Sequence, residues 1–372
     1  METDVTDDQR ALLEVSSRFM TDTCPLVAVR EGAWRDVGFA AAYRRQAAEL
    51  GWFSMLVPEA LGGGNVSGYG VLDAALVAYR RGRALQPGSF VGTNVVAYAI
   101  AEAGSEWART TVLPALLSGE APASWAVDAP GYRLDAGVDA RVLDDGGVVL
   151  TGTKRAVQDV EEASWLLVTC STGSGATQLL IRADSPGVTI TELGTLDLSR
   201  RYFEVTFDGA KVDAAAVVGT PGAGDDLITR QLAIATTLVA AEMVGAMDQD
   251  FATTVQYAKD RIAFGRPIGS FQGIKHQLAD TSLALEMSKA ITVAAARAVD
   301  HDDFGPSAAS MAKAFVGEAG VDLVQTCFQV YGGIGYTWEH DQHLYLRRIT
   351  TDAGLFGDAN WHREHLCQLA GI

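Results

Sequence analysis

Cysteine is scarce in this 372-residue chain: Cys24, Cys170, Cys327 and Cys367 stand far apart, with no C-x-x-C spacing. That excludes a zinc ribbon or a disulfide scaffold as the organising device, and a reducing cytoplasm is the expected compartment. Basic residues are in deficit, 29 Lys and Arg against 46 Asp and Glu, for a net charge of −17. Such a surface repels polyanions, so neither nucleic acid nor an anionic membrane is expected as a partner. Long uncharged hydrophobic runs are missing too. The most apolar stretch, from Leu227 to Met247, carries Arg230, Gln231 and Glu242 and reads as a buried helix. The opening METDVTDDQRALLEV lacks the basic and apolar regions of an export signal, so no export is expected. There is no G-x-S-x-G or Walker motif, and the run YGGIGY does not sit between a strand and a helix as a nucleotide-binding G-x-G-x-x-G must.

What is present is ordinary globular composition, 48% hydrophobic and 20% charged, long enough for two or three domains. Residues 1–119 are helical in pattern, with Ala- and Leu-rich runs such as AAYRRQAAEL punctuated by glycine and proline. Residues 120–222 change to short β-branched runs between turn signals, among them GGVVLTGTK, WLLVTC and RYFEVTFDG. Residues 223–372 return to long helical periodicity, the pattern of an antiparallel bundle. His340 with His343, and His362 with His365, are spaced i,i+3 and could each form half a metal site, but further ligands cannot be placed, so exposed or capping roles are expected and no metal.

The most informative segment is YAKDRIAFGRPIGSFQGIKHQLAD, from Tyr257 to Asp280. Together with CFQVYGGIGYTWEHDQHLYLRRI, from Cys327 to Ile349, and LGWFSMLVPEALGGGN in the first segment, it resembles the acyl-CoA dehydrogenase family over essentially the whole chain. The resemblance implies an α+β fold of three parts: an N-terminal helical domain, a middle β-barrel or sandwich, and a C-terminal four-helix bundle. It also implies FAD as cofactor, an acyl-CoA thioester as substrate, a role in lipid metabolism, an electron acceptor, and a tetramer in which each FAD lies between two subunits. In that family a carboxylate removes the α-proton of the thioester while hydride passes from Cβ to the flavin, which demands a base within hydrogen-bond reach and a flavin held flat.

Carried over residue by residue, the resemblance divides the site in two. The half that one subunit lends to its neighbour is intact: Arg261 matches the arginine that pairs with the flavin pyrophosphate, and Phe264, Gln272, Gln329, Gly332 and Gly333 match the contacts around it. The flavin-facing half is eroded. Asp128 alone keeps the acid of the family's Thr-Glu-Pro stretch, Val127 replaces its hydroxyl, and Ala156-Val157-Gln158 stands where the family has Trp-Ile-Thr, leaving Gln158 as the polar contact.

The base is the largest departure. The family's usual glutamate falls on Phe356, and the alternative used by some members falls on Ala235. Two carboxylates stand nearby in sequence as candidates for a relocated catalytic base: Glu242, two helical turns and roughly 10 Å beyond Ala235, and Asp358, two residues past Phe356. Three functions are therefore open: a subunit without its own base that completes the FAD site of a related partner in a mixed tetramer, a self-sufficient FAD-dependent dehydrogenase using Glu242 or Asp358, and a flavin-free helical scaffold.

Overall fold

The computed structural model describes residues 1, 5–127, 134–301 and 304–372. It opens with helices α1 (Asp7–Thr23), α2 (Leu26–Glu31), α3 (Val37–Glu49), α4 (Gly70–Arg83), α5 (Phe90–Ala103) and α6 (Leu113–Leu117). Their starts are written in the sequence: Thr6 and Gln9 form a reciprocal capping box on α1, and the Asp36 side chain accepts from Phe39 N to begin α3. Trp52, fully buried, gathers Phe19, Tyr43 and Phe90 edge-on around it and so ties α1, α3 and α5 together.

Strands β1 (Ala123–Ala126), β2 (Val138–Val142), β3 (Val148–Gln158), β4 (Trp165–Thr172), β5 (Gly175–Arg182), β6 (Val188–Leu193), β7 (Tyr202–Val212) and β8 (Val217–Val218) follow. They form one connected sheet of order β6-β7-β3-β2-β4-β5-β8, with β1 added in parallel on β4. The two parts of that path, β6-β7-β3-β2 and β4-β5-β8, meet through a single β2–β4 pairing, Asp139 with Ser171, and make up the middle β-sheet domain that the resemblance implies. A register shift between Lys154 and Val157 of β3 puts Ala156 at φ +53°, which re-aims the strand just where it meets the candidate site.

The remainder is helical: α7 (Asp225–Asp260), the two-stranded hairpin β9 (Ile262–Ala263) and β10 (Arg266–Pro267), α8 (Gln272–His301), α9 (Gly305–Tyr331), α10 (Gln342–Gly354) and α11 (Ala359–Leu369). By length and composition α7 could cross a membrane, yet 83% of its most apolar window is buried, packed against α4, α8, α9 and α10. Glycine makes that packing possible. A Cβ on Gly82 would lie 1.9 Å from the Glu242 carbonyl oxygen, and one on Gly245 would lie 1.9 Å from that of Tyr79, so α4 and α7 touch backbone to backbone.

Candidate functional site

The residues of the lent half-site gather at one end of the helical bundle. Arg261 caps α7, and its carbonyl accepts from Ile268 N across the β9–β10 hairpin at 2.9 Å. The hairpin carries Phe264 at φ +52° with 95% of its surface exposed, edge-on to Phe271 at 6.2 Å, and Gln272 starts the next helix. The end of α9 is pinned alongside by Tyr331, whose ring lies 4.7 Å from that of Tyr257, and this places exposed Gln329 and the turn Gly332-Gly333 at the same end.

This surface fits a dinucleotide. Among the described residues no carboxylate pairs with Arg261, so its guanidinium stands open to an anion. A Cβ built on Gly332 or Gly333 meets nothing within 4 Å, and Gly332 holds φ +62°, so bare backbone faces outward where a ligand can approach. Ile262, Ile334, Tyr336 and Trp338 are exposed beside it, more apolar surface than one subunit ordinarily leaves in water.

The positions that the resemblance places against a flavin lie elsewhere, around a small pocket. Gly92, Trp125, Val127, Ala156, Gln158, Leu355 and Phe356 line it. The Phe356 ring lies over Trp125, centroids 5.8 Å apart and 26° from parallel, and the Trp125 indole N–H is used on Thr169 Oγ1 at 3.0 Å. Between the described side chains the cavity holds about 20 Å³, the room of one or two waters. Phe356 sits at φ +57° in the turn between α10 and α11, held from beneath by Lys313, whose Nζ donates to Ala353 O and Gly357 O, each at 2.8 Å. Burial pulls the Lys313 ammonium down to about 8. None of the described lining side chains is a carboxylate. Gln158 turns its amide to Asp159 Oδ2 at 2.9 Å, and Asp128 lies outside the described residues.

The pocket and the anchoring surface lie at opposite ends of α10, whose 13 residues span about 20 Å.

Neither candidate base faces the pocket. Glu242, fully buried on α7, is ion-paired with Arg200 and lies 3.4 Å from Arg81 Nε. Arg200 also holds Asp352 Oδ1 at 2.7 Å, while Arg348 holds Asp197 Oδ2 at 2.7 Å and Ser199 Oγ at 2.6 Å. Burial alone would raise the Glu242 carboxyl, but Arg200 and then Arg81 outweigh it and hold it below the usual range; burial pushes Asp352 up to about 6. Glu242 is thus corrected from candidate base to a member of an interior ion network. Asp358 is the N-cap of α11, its Oδ1 accepting from Trp361 N at 2.8 Å, and is corrected to a capping residue. Ala235 is buried within α7.

The histidines have structural partners: His340 Nδ1 accepts from Gln342 N at 3.1 Å, His343 stacks on Trp338, His362 meets Ser310 Oγ at 3.1 Å, and His365 stacks on Trp361. Two pocket residues escape a reading of the sequence. Trp125 looks like a core strand residue, and Lys313 lies among small apolar neighbours in ASMAKAF, where an isolated lysine on a buried helical face is the one available signal.

The Acyl-CoA dehydrogenase, N-terminal domain family matches residues 6–120, and the Acyl-CoA dehydrogenase, C-terminal domain family matches residues 222–369. The acyl-CoA dehydrogenase IpdE2 of Mycolicibacterium smegmatis is 30% identical over 370 residues, covering 98% of each chain. The ChsE4-ChsE5 complex from Mycobacterium tuberculosis superposes with a TM-score of 0.89 at 28% identity over 100% of both chains. Butyryl-CoA dehydrogenase from Megasphaera elsdenii, 22% identical, shares the fold with a TM-score of 0.90 over 100% of both chains. The chain belongs to the acyl-CoA dehydrogenase family of FAD-dependent oxidoreductases.

Proposed function

We propose that this chain is a subunit of an acyl-CoA dehydrogenase that completes the FAD site of a related partner subunit and has no working site of its own. The single observation that carries the reading is the contrast across α10: an open anchoring surface at one end, and at the other a pocket filled by Phe356 on Trp125 with no carboxylate in its described lining. When bound, FAD supplies the hydride acceptor for α,β-dehydrogenation of an acyl-CoA thioester. This chain's part is to hold the cofactor's pyrophosphate with Arg261, to let backbone approach it at Gly332 and Gly333, and to exclude water with Phe264. The base belongs to the partner.

The likeness to the ChsE4-ChsE5 complex supports a mixed assembly. The self-sufficient reading has lost both of its candidate bases to the interior network and the α11 cap. The scaffold reading leaves an unpaired Arg261 and a solvent-facing Phe264 without purpose.

The test is the visible flavin spectrum of the chain purified alone and together with a related subunit that keeps the glutamate. Less than one FAD per chain alone, restored in the mixed assembly, is the expected result. Full and tightly held FAD in the isolated homo-oligomer overturns it.

A further inference from the structure

The bundle end that carries Arg261, Gln329 and Gly332 is built over a buried polar cluster to which none of the roles above assigns a task. Asp250 of α7 is fully buried, and its Oδ2 accepts from Gln342 Nε2, at the start of α10, at 3.1 Å. The Cys327 thiol of α9 lies against the same carboxyl. Gln342 Nε2 also reaches Val324 O of α9 at 3.4 Å. One turn along α7, Thr254 donates to Asp250 O at 2.8 Å and joins Thr253 in contact with the Tyr331 hydroxyl. Tyr331 packs on Tyr257; Gly332 follows the first, and Arg261 lies one turn beyond the second. Asp250 is therefore where α7, α9 and α10 are joined beneath the anchoring surface.

Among the described residues no cation is placed to neutralise this carboxyl. The groups that face it are Cys327 and Tyr331 from α9 and Tyr345 from α10. His340 is occupied with Gln342 N, and the Arg83 guanidinium, behind Tyr345 on α4, is paired with Asp248. Neither Asp250 Oδ1 nor Gln342 Oε1 receives an N–H or O–H donor. An ionised carboxylate would be a buried anion with one amide donor, Gln342, and one weak thiol donor, Cys327, which is costly; the neutral acid carries no charge and brings a donor of its own. Burial lifts the Asp250 carboxyl to about 8 accordingly.

We infer that Asp250 is a positioning residue for the anchoring surface: as a neutral acid it locks α7, α9 and α10 together, and losing its proton in mildly alkaline solution loosens the surface bearing Arg261, Gln329 and Gly332. The consequence for flavin rests on the reading of that surface as a cofactor half-site; the latch does not. The sign follows from the raised acid. Between about 4, the value for an unfolded aspartate, and about 8, the native chain holds a proton that the unfolded chain does not. This group's stabilisation is thus fully present below about 4 and is lost as pH rises, the unfolding constant growing by up to about tenfold per pH unit and levelling above about 8.

The experiment is hydrogen exchange by mass spectrometry on the full-length chain and on Asp250→Asn across mildly acidic to mildly alkaline pH, corrected for intrinsic exchange. The probes are peptides covering residues 255–265 and 326–336, with residues 225–245 as internal reference. Protection of the two probe peptides in the unsubstituted chain should fall by up to about tenfold, relative to the reference, as pH rises from neutral through the Asp250 transition. Asp250→Asn, permanently neutral and nearly the same shape, should hold it constant. Flat protection in the unsubstituted chain, or the same fall in the Asn variant, overturns the latch, and the first of these decides even if the variant does not fold. Arg261→Ala, run in parallel, should lose flavin in the mixed assembly without altering the exchange profile, so failure of the latch and failure of the flavin assignment read out separately.

Discussion

The two ends of α10 have been treated differently. At one, every matched residue of the lent half-site is present and turned to solvent: a guanidinium with no carboxylate, bare glycine backbone, and a phenylalanine that a lone subunit has no reason to expose. At the other, Val127 and Ala156 stand where the family has a hydroxyl and an indole, Gln158 is the one polar side chain of the described lining, and Phe356 stacks on Trp125. A chain that had drifted away from flavin altogether would have lost both ends. Retention of one and closure of the other is the pattern expected when the two halves serve different active sites.

The strongest way to break that comparison is to show that an interior carboxylate does chemistry. Glu242→Gln should cost about 3–5 kcal/mol of stability, because it leaves Arg200 and Arg81 buried and underpaired. Urea unfolding of the chain measures this, and single-turnover flavin reduction in the mixed assembly should be unaffected. An unchanged stability with abolished reduction would restore Glu242 as a base. Next in size, Arg261→Ala removes a charge-assisted contact worth about 1.5–3 kcal/mol, so flavin retention in the mixed assembly should weaken roughly 10- to 150-fold, with Arg261→Lys only partly effective. Flavin content after gel filtration is the readout.

Smaller effects sharpen the picture at the closed end. Phe356→Glu returns a carboxylate to the family position, yet Trp125 still occupies the space, so no acyl-CoA-dependent flavin reduction should appear in the isolated chain; a gain would mean that substrate already reaches this pocket. Smallest of all, Asp358→Asn exchanges one good N-cap for another and should shift stability by less than about 0.5 kcal/mol, whereas Asp358→Ala should cost about 1 kcal/mol. A large loss of reduction with Asp358→Asn would reopen its candidacy as a base.

The order of helices, strands and helices was legible because periods of 3.6 and 2 alternate along the chain and the capping residues Thr6 and Asp36 announce their helices. That Arg261, Phe264 and Gln272 come together with Gln329, Gly332 and Gly333 was legible for a related reason: they lie in two short segments at the ends of neighbouring helices. The base was not. Distance along a helix says that Glu242 is near Ala235, but not that two arginines from other segments converge on it, and Arg200 in particular stands in a loop with no periodicity to place it. Asp358 looked available because a capping role depends on the helix beginning at the next residue, a boundary that a sequence fixes only loosely. The closure by Phe356 was invisible since it depends on a left-handed backbone residue and on Lys313, more than 40 positions earlier.

The ion network around Arg200 has a consequence for inheritance. Arg81 comes from the first helical segment, Asp197, Ser199 and Arg200 from the loop leading into β7, and Glu242, Arg348 and Asp352 from the last segment, so the charges of all three are balanced only when all three are present. A fragment cut near residue 221 would carry Arg81 and Arg200 without Glu242 or Asp352, with Asp197 as the one carboxylate of the network left to them and the face of α4 that packs on α7 uncovered, and should be insoluble or unfolded. For the same reason a chimaera that takes its β segment from a relative should assemble only if the carboxylates facing that loop are exchanged with it, which makes these three segments a single unit of recombination even though they look like three domains.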